Sequence, residues 1–170
     1  MKRLLISLTL LVCALSAMAQ VDTPKWKNAP SFYSVELGYT RAQYEFKSNL
    51  VDIGATLTWK YIYFGATFGI GKEDGIKELA ANIKVGGAMP FKLKNEGCIV
   101  VSPYVAFGSM DYKYSGSTSS DFNVGPGLKA TYILPSKLAI GAYFQNIWST
   151  DYNSANTQNM TFGISFGRAF

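Results

Sequence analysis

An all-β chain of eight antiparallel strands is what the sequence predicts, and three regularities predict it. Large apolar residues alternate with small or polar ones, at a period of two, through eight runs of about ten residues. Beyond the first 19 residues no apolar run approaches the ~20 that a membrane helix needs. Glycine is placed unevenly: twelve of the sixteen, Gly54, Gly69 and Gly141 among them, fall on the polar-side register. Glycine weakens a strand and is a poor choice for a water-facing surface, but it relieves crowding inside an eight-strand barrel. The large register carries almost no charge. Bulk facing lipid and small residues facing a crowded lumen predict an eight-stranded antiparallel up-and-down transmembrane β-barrel.

Met1 to Ala19 reads as a cleaved signal peptide. Lys2 and Arg3 give a positive start, Leu4 to Leu15 is apolar, and Ala17-Met18-Ala19 is a small-x-small cleavage site. Val12 before Cys13 argues against a lipoprotein signal. Residues 20–30 (QVDTPKWKNAP) carry two prolines and no period, and read as a short lead-in to a barrel spanning 31–170.

In the first run Tyr33, Val35, Leu37 and Tyr39 point out, against Ser34, Glu36, Gly38 and Thr40. The second sets Val51, Ile53, Ala55, Leu57 and Trp59 against Asp52, Gly54, Thr56, Thr58 and Lys60. The phase flips near Tyr61, so a tight turn is expected there. The third sets Ile62, Phe64, Ala66, Phe68 and Ile70 against Tyr63, Gly65, Thr67, Gly69 and Gly71. Lys72 to Lys77 is a turn by composition. In the fourth, Leu79, Ala81, Ile83 and Val85 oppose Ala80, Asn82, Lys84 and Gly86; Pro90 to Gly97 ends it. The fifth starts at Cys98, with Val101, Val105 and Phe107 against Ser102, Tyr104, Ala106 and Gly108. Pro103 suggests a bulge there, and Tyr114 to Ser120 reads as a flexible polar loop. The sixth sets Phe122, Val124, Leu128, Ala130 and Tyr132 against Asn123, Gly125, Gly127, Lys129 and Thr131. After the turn at Pro135-Ser136, the seventh sets Leu138, Ile140, Ala142 and Phe144 against Ala139, Gly141, Tyr143 and Gln145. Ser149 to Thr157 is the last predicted loop.

The eighth run is Met160, Phe162, Ile164, Phe166, Arg168 and Phe170 against Thr161, Gly163, Ser165, Gly167 and Ala169. Here the chain resembles the bacterial outer-membrane β-barrel proteins of the OmpA/OmpX-like, porin-labelled kind, whose last strand alternates apolar residues and ends in Phe. Arg168 departs from that pattern, but an arginine so near the strand end can snorkel to the interface. The resemblance covers nearly the whole mature chain and implies a Gram-negative outer-membrane location. It also implies outer-membrane lipid as the surroundings and the barrel-assembly machinery as a partner during biogenesis. On that view Phe162, Ile164, Phe166 and Phe170 form the C-terminal assembly signal, and the links near 61, 90–97 and 133–137 face the periplasm. Those near 47–49, 72–77, 114–120 and 149–157 face outward. Aromatics gather towards strand ends, with Tyr33, Trp59, Tyr61, Tyr132 and Phe170 at one rim and Tyr44, Phe46, Tyr112, Phe122 and Trp148 at the other, where a bilayer interface favours them.

Composition excludes much chemistry. Removing Lys2 and Arg3 takes the basic count from 16 to 14 against 11 acids, a net charge of +3 without a Lys/Arg run, which does not suit nucleic acid. Cys98 is the only cysteine left after cleavage, so no intramolecular disulfide can form, and it reads as a small apolar filler. The chain has no histidine, which removes His-based acid–base catalysis and the common His-containing metal sites. Ser117, Ser119 and Ser120 lack a general base, and Gly125-Pro126-Gly127 is mid-strand rather than a phosphate loop. No catalytic residue, metal or cofactor is expected.

The inward charges are Glu36, Asp52, Lys60, Lys84 and Lys129. Counted from the turns, Glu36, Lys84 and Lys129 lie at similar depth, which predicts a paired interior cluster assisted by Tyr104 and Tyr143, because unpaired charges are costly in a narrow lumen. It is a polar plug that locks register, part of a proton or ion path, or the setting of a catalytic carboxylate, and the plug is the favoured reading. Three functions follow: a non-enzymatic envelope component, structural or engaged in surface interactions and able to join a larger membrane assembly; a narrow channel for ions or small solutes; or a soluble lipocalin-like carrier with an apolar centre.

Overall fold

Each run of alternation forms a strand, in the order β1 (Phe32–Gln43), β2 (Lys47–Trp59), β3 (Ile62–Glu73), β4 (Ile76–Gly87), β5 (Met89–Lys92), β6 (Cys98–Tyr114), β7 (Ser117–Ile133), β8 (Leu138–Ser149) and β9 (Gln158–Ala169). The computed structural model describes residues 29–43, 47–73, 75–93, 97–114, 116–149 and 158–170. The expected signal peptide and all but the last two residues of the lead-in lie outside these residues, as do Tyr44, Phe46 and most of the link after Ser149.

Neighbouring strands pair antiparallel, and β9 returns to pair with β1, closing the sheet. Both β4 and β5 pair with β6. They are two segments of one barrel strand, so the barrel has eight. The gap between them has a local cause. Pro103 of β6 has no N–H to give the ladder, and facing it the pairing passes from Gly86–Tyr104 directly to Met89–Val101. The register is the same on both sides, so Pro103 removes rungs without inserting the expected bulge. Ala88 keeps its other rung, donating its N–H to the Tyr61 carbonyl at 2.8 Å. Pro126 similarly leaves a gap between the Val124–Trp148 and Gly127–Gln145 pairs.

The register fixes the bore. Stepping between paired residues from Phe32 through Thr58, Tyr63, Gly86, Tyr104, Gly127, Gln145 and Thr161 returns to β1 at Thr40, eight residues beyond the start. Eight strands with a shear of eight give a tilt of about 36° and an interior that side chains fill completely. A 12-residue strand at that tilt rises about 32 Å, enough for the hydrocarbon core of a bilayer.

The turns are tighter than composition suggests. Lys60, expected to point inward, is instead exposed in the β2–β3 turn with a left-handed backbone (φ 55°). Residues 47–49 belong to β2, and residues 90–92 belong to β5. The expected loops at 72–77 and 114–120 are mostly strand, reversed at Gly75 (φ 81°) and Gly116 (φ 89°). The serines and threonine of 117–120 therefore extend a β6–β7 hairpin of two 17-residue strands.

The outer face is apolar on every side. Ile53, Ile70, Phe68, Phe162 and Phe166 are 54–66 % exposed, and the same register carries Tyr33, Leu37, Phe64, Leu79, Leu128, Ile140 and Ile164. Half-exposed side chains of this size, summed around the barrel, amount to on the order of 2,000 Å², several times the largest patch usual on a soluble monomer. In water that area would cost roughly 50 kcal/mol, far above the about 5–15 kcal/mol by which a domain is stable. The phenylalanines that a lipocalin-like carrier would shield in its centre lie outside. The chain is a transmembrane β-barrel. Arg168, also on this face, pairs with Tyr33 and Leu138 at the end nearest the chain termini, where a cation can reach the headgroups.

Lipid contact makes the cost of a charge depend on depth. Ile53→Arg, midway up the barrel, is expected to lose about 2–4 kcal/mol of stability in vesicles, whereas Leu138→Arg at the rim loses about 0–1 kcal/mol. Denaturant unfolding in phosphatidylcholine vesicles measures both, and equal losses would contradict a lipid-facing belt.

Candidate functional site

The inward residues form layers. Nearest the chain termini, Phe32, Ala88, Val100, Ile133, Ala139 and the buried Cys98 pack into an apolar layer. Towards the opposite, distal end Leu50, Ala80 and Met110 form another, with Tyr112 packed against it. Tyr112 is thus an interior residue, not the rim aromatic expected, and its hydroxyl donates to Met110 Sδ. All the tightly paired charges lie between these two layers.

Glu36 is the hub. Lys84 Nζ donates to Glu36 Oε2 at 2.7 Å and Lys129 Nζ to Oε1 at 2.9 Å, all three side chains being fully buried. Lys129 completes its three donors on Ser34 Oγ at 2.7 Å and Thr56 Oγ1 at 2.8 Å. Lys84 turns its remaining surface to aromatic faces, 4.1 Å from the Tyr143 ring centre and 5.4 Å from that of Tyr104, a geometry in which the ring quadrupole attracts the cation. The Tyr63 hydroxyl donates to Glu36 Oε1 at 3.2 Å. Three donor groups, from Lys84, Lys129 and Tyr63, and three rings thus occupy the bore at one level.

Tyr104 and Tyr143, expected to help satisfy the cluster, stand beside it and present ring faces to Lys84. Tyr104 donates its hydroxyl elsewhere, to Gln145 Oε1 at 3.3 Å. The wall makes room for both rings with glycine: Tyr104 lies over its cross-strand partner Gly127, and Tyr143 over Gly163 and beside Gly38. A Cβ at any of these glycines would run into the tyrosine.

Asp52 is buried one level away and joins a hydroxyl relay rather than the hub. Thr40 Oγ1 donates to Asp52 Oδ2, and Thr40 and Thr161 share a hydrogen bond. Gln145 Nε2 donates to Thr161 Oγ1 at 3.2 Å. Between the apolar layers Glu36 and Asp52 therefore balance Lys84 and Lys129. Sequence reasoning singled out those four but missed Tyr63, Ser34 and Thr56. Ser34 and Thr56 are a cross-strand pair one position from Glu36 on its own face, and Tyr63 is a large residue opposite Gly86 in the inward register, so both signals were present. Buried Glu78 on β4 was also passed over.

Chemically the hub is closely paired around its carboxylate. The carboxylate accepts three donors and Lys129 has no free N–H. Among the described residues no three His, Cys, Asp or Glu side chains converge. Its energetic meaning is asymmetric, since removing one partner of a buried pair is far costlier than replacing the whole set by apolar groups. Glu36→Gln is accordingly expected to cost about 3–5 kcal/mol, and Tyr63→Phe about 1 kcal/mol, by unfolding in vesicles. The triple change Glu36→Leu/Lys84→Met/Lys129→Met should recover most of that loss. A near-neutral Glu36→Gln would contradict the pairing.

Comparisons by sequence find no matching family model and no matching curated protein. By structure the chain is similar to Neisserial surface protein A, NspA, with a TM-score of 0.60 and 11% identity over 82% of this chain and 97% of that one. It is also similar to Ail, the attachment invasion locus protein of Yersinia pestis, with a TM-score of 0.53 and 11% identity over 84% of this chain and 99% of that one. At such identity the likeness concerns the path of the chain. The fold is that of the small eight-stranded outer-membrane barrels that the last strand of the sequence resembles.

Proposed function

We propose that this chain is a non-enzymatic integral protein of a bacterial outer membrane, with a sealed lumen and a structural or surface-interaction role. The observation that carries this reading is the occupied bore: a fully buried, paired ionic hub held between two apolar layers. A channel needs a continuous wet path, and a carrier needs an apolar centre; this interior suits neither. The signal-like first 19 residues support export, and the terminal-strand pattern of Phe162, Ile164, Phe166 and Phe170 supports recognition by the barrel-assembly machinery. The start of β1 and the end of β9 lie at one end of the barrel, which in this reading is periplasmic. The β6–β7 hairpin then rises outward and offers Ser117 to Ser120 and Phe122, all exposed, for contact with other molecules.

Two measurements test the proposal. Cell fractionation should recover the protein with the outer membrane and only in detergent. In planar bilayers the purified barrel should give no reproducible conductance steps, whereas regular steps would favour the narrow-channel reading and refute a sealed lumen.

A further inference from the structure

Three lysines stand side by side where a β-sheet disfavours them. Lys72 of β3 pairs with Lys77 of β4, and Lys77 pairs in turn with Lys113 of β6. Like charges directly opposite one another on neighbouring strands repel, and here the arrangement occurs twice in one row. All three side chains share the outward register and are exposed, and none forms an ion pair among the described residues. The nearest acid on that face, Asp111, is two residues from Lys113 and accepts a hydrogen bond from the Ser120 hydroxyl. Glu78, the neighbour of Lys77 along β4, points into the lumen and is buried.

The row is also placed at a definite height. On β3 and β4 the residues two positions below it on the same face are Ile70 and Leu79, both exposed members of the apolar belt. On β3 and β4 the lysines begin where the belt ends, on its distal side, whereas on β6 Asp111 and Ser109 lie below Lys113 on the same face. Amines at that level lie among headgroups, with their stems along the acyl boundary.

From this juxtaposition we propose that Lys72, Lys77 and Lys113 form a binding site for the phosphate groups of an anionic lipid in the outer leaflet. The inference rests on the outer-membrane reading above and adds a ligand class to it. The lipid neutralises a cluster that otherwise repels itself, while its chains continue down the wall over Ile70 and Leu79. A soluble polyanion would satisfy the charge alone. The lipid is favoured because the lysines lie on the barrel wall, continuous with the belt, rather than on a projecting tip.

Native mass spectrometry of the folded protein in neutral detergent tests this, with diphosphoryl lipid A, the same lipid after dephosphorylation, and sucrose octasulfate as probes. The wild type should retain diphosphoryl lipid A at least tenfold better than the dephosphorylated form. Lys72→Gln/Lys77→Gln/Lys113→Gln should abolish that preference, while Lys60→Gln/Lys137→Gln at the opposite rim should keep it. Thermal unfolding gives a second readout that does not depend on retention: Lys77→Gln should raise the melting temperature in neutral detergent, by relieving repulsion, and lower it relative to wild type once diphosphoryl lipid A is added. Equal retention by the triple variant would overturn the proposal, as would equal retention of sucrose octasulfate, which would mark a soluble-polyanion site. Recovery of the wild type as a water-soluble monomer would refute the membrane reading itself, an outcome distinct from either.

Discussion

The charges in the bore of this barrel are fully buried among side chains from all around the wall, and the rest of the structure depends on that constraint. A shear of eight across eight strands sets the inner width, and the register that produces it is read directly from the pairing that brings Phe32 round to Thr40. At that width an inward side chain meets side chains from the opposite wall. Glycine must therefore alternate with bulk, as Gly127 does with Tyr104 and Gly163 with Tyr143, and every buried charge must find its partner across the lumen. Glu36, on β1, meets lysines from β4 and β7, none of them adjacent strands. The hub thus joins walls that the hydrogen-bond ladder does not connect directly. A slip of one residue in any of the three strands would turn its charge out to lipid, so the cluster acts on register more than on net stability.

The same constraint explains why the two faces divide labour so sharply. Inside, apolar clusters lie to either side of the ionic level, and burial there strengthens the electrostatics and also raises the cost of breaking them. Outside, nothing but apolar side chains is tolerated until the rims. Among the described residues the exposed cations of the wall are accordingly found towards its ends: Lys60, Lys92, Lys137 and Arg168 on the side of the termini, and Arg41, Lys72, Lys77 and Lys113 at the distal side.

Much of this was legible in the sequence, and the parts that were not share a reason. Alternation at a period of two gave all eight strands, their facing and the inward position of Glu36, Lys84 and Lys129, because a strand's side-chain direction is a local property. Depth counted from the turns was enough to put those three at one level. Whatever depends on partners across the lumen was harder. Tyr104 and Tyr143 could be placed inside, but not the ring-face contacts with Lys84, which follow from how far each strand is staggered. Lys60 shows the limit at a strand end, where one left-handed residue turns the chain and cancels the alternation. The polar composition of 114–120 suggested a loop, yet two strands that are already paired simply continue, since serine and threonine at a water-exposed level cost the ladder nothing.

The claim most open to direct measurement is that lipid touches the bulky register. With Cys98→Ser as background, nitroxide labels at Ile53, Phe68 and Phe162 in reconstituted bilayers report local access to lipid-soluble oxygen and to a water-soluble nickel chelate. High oxygen access and negligible nickel access at all three sites, with the reverse at a label on Ser119, is the expected pattern. Free access of the nickel chelate to Phe68 and Phe162, or a label there shielded from both quenchers, would contradict it.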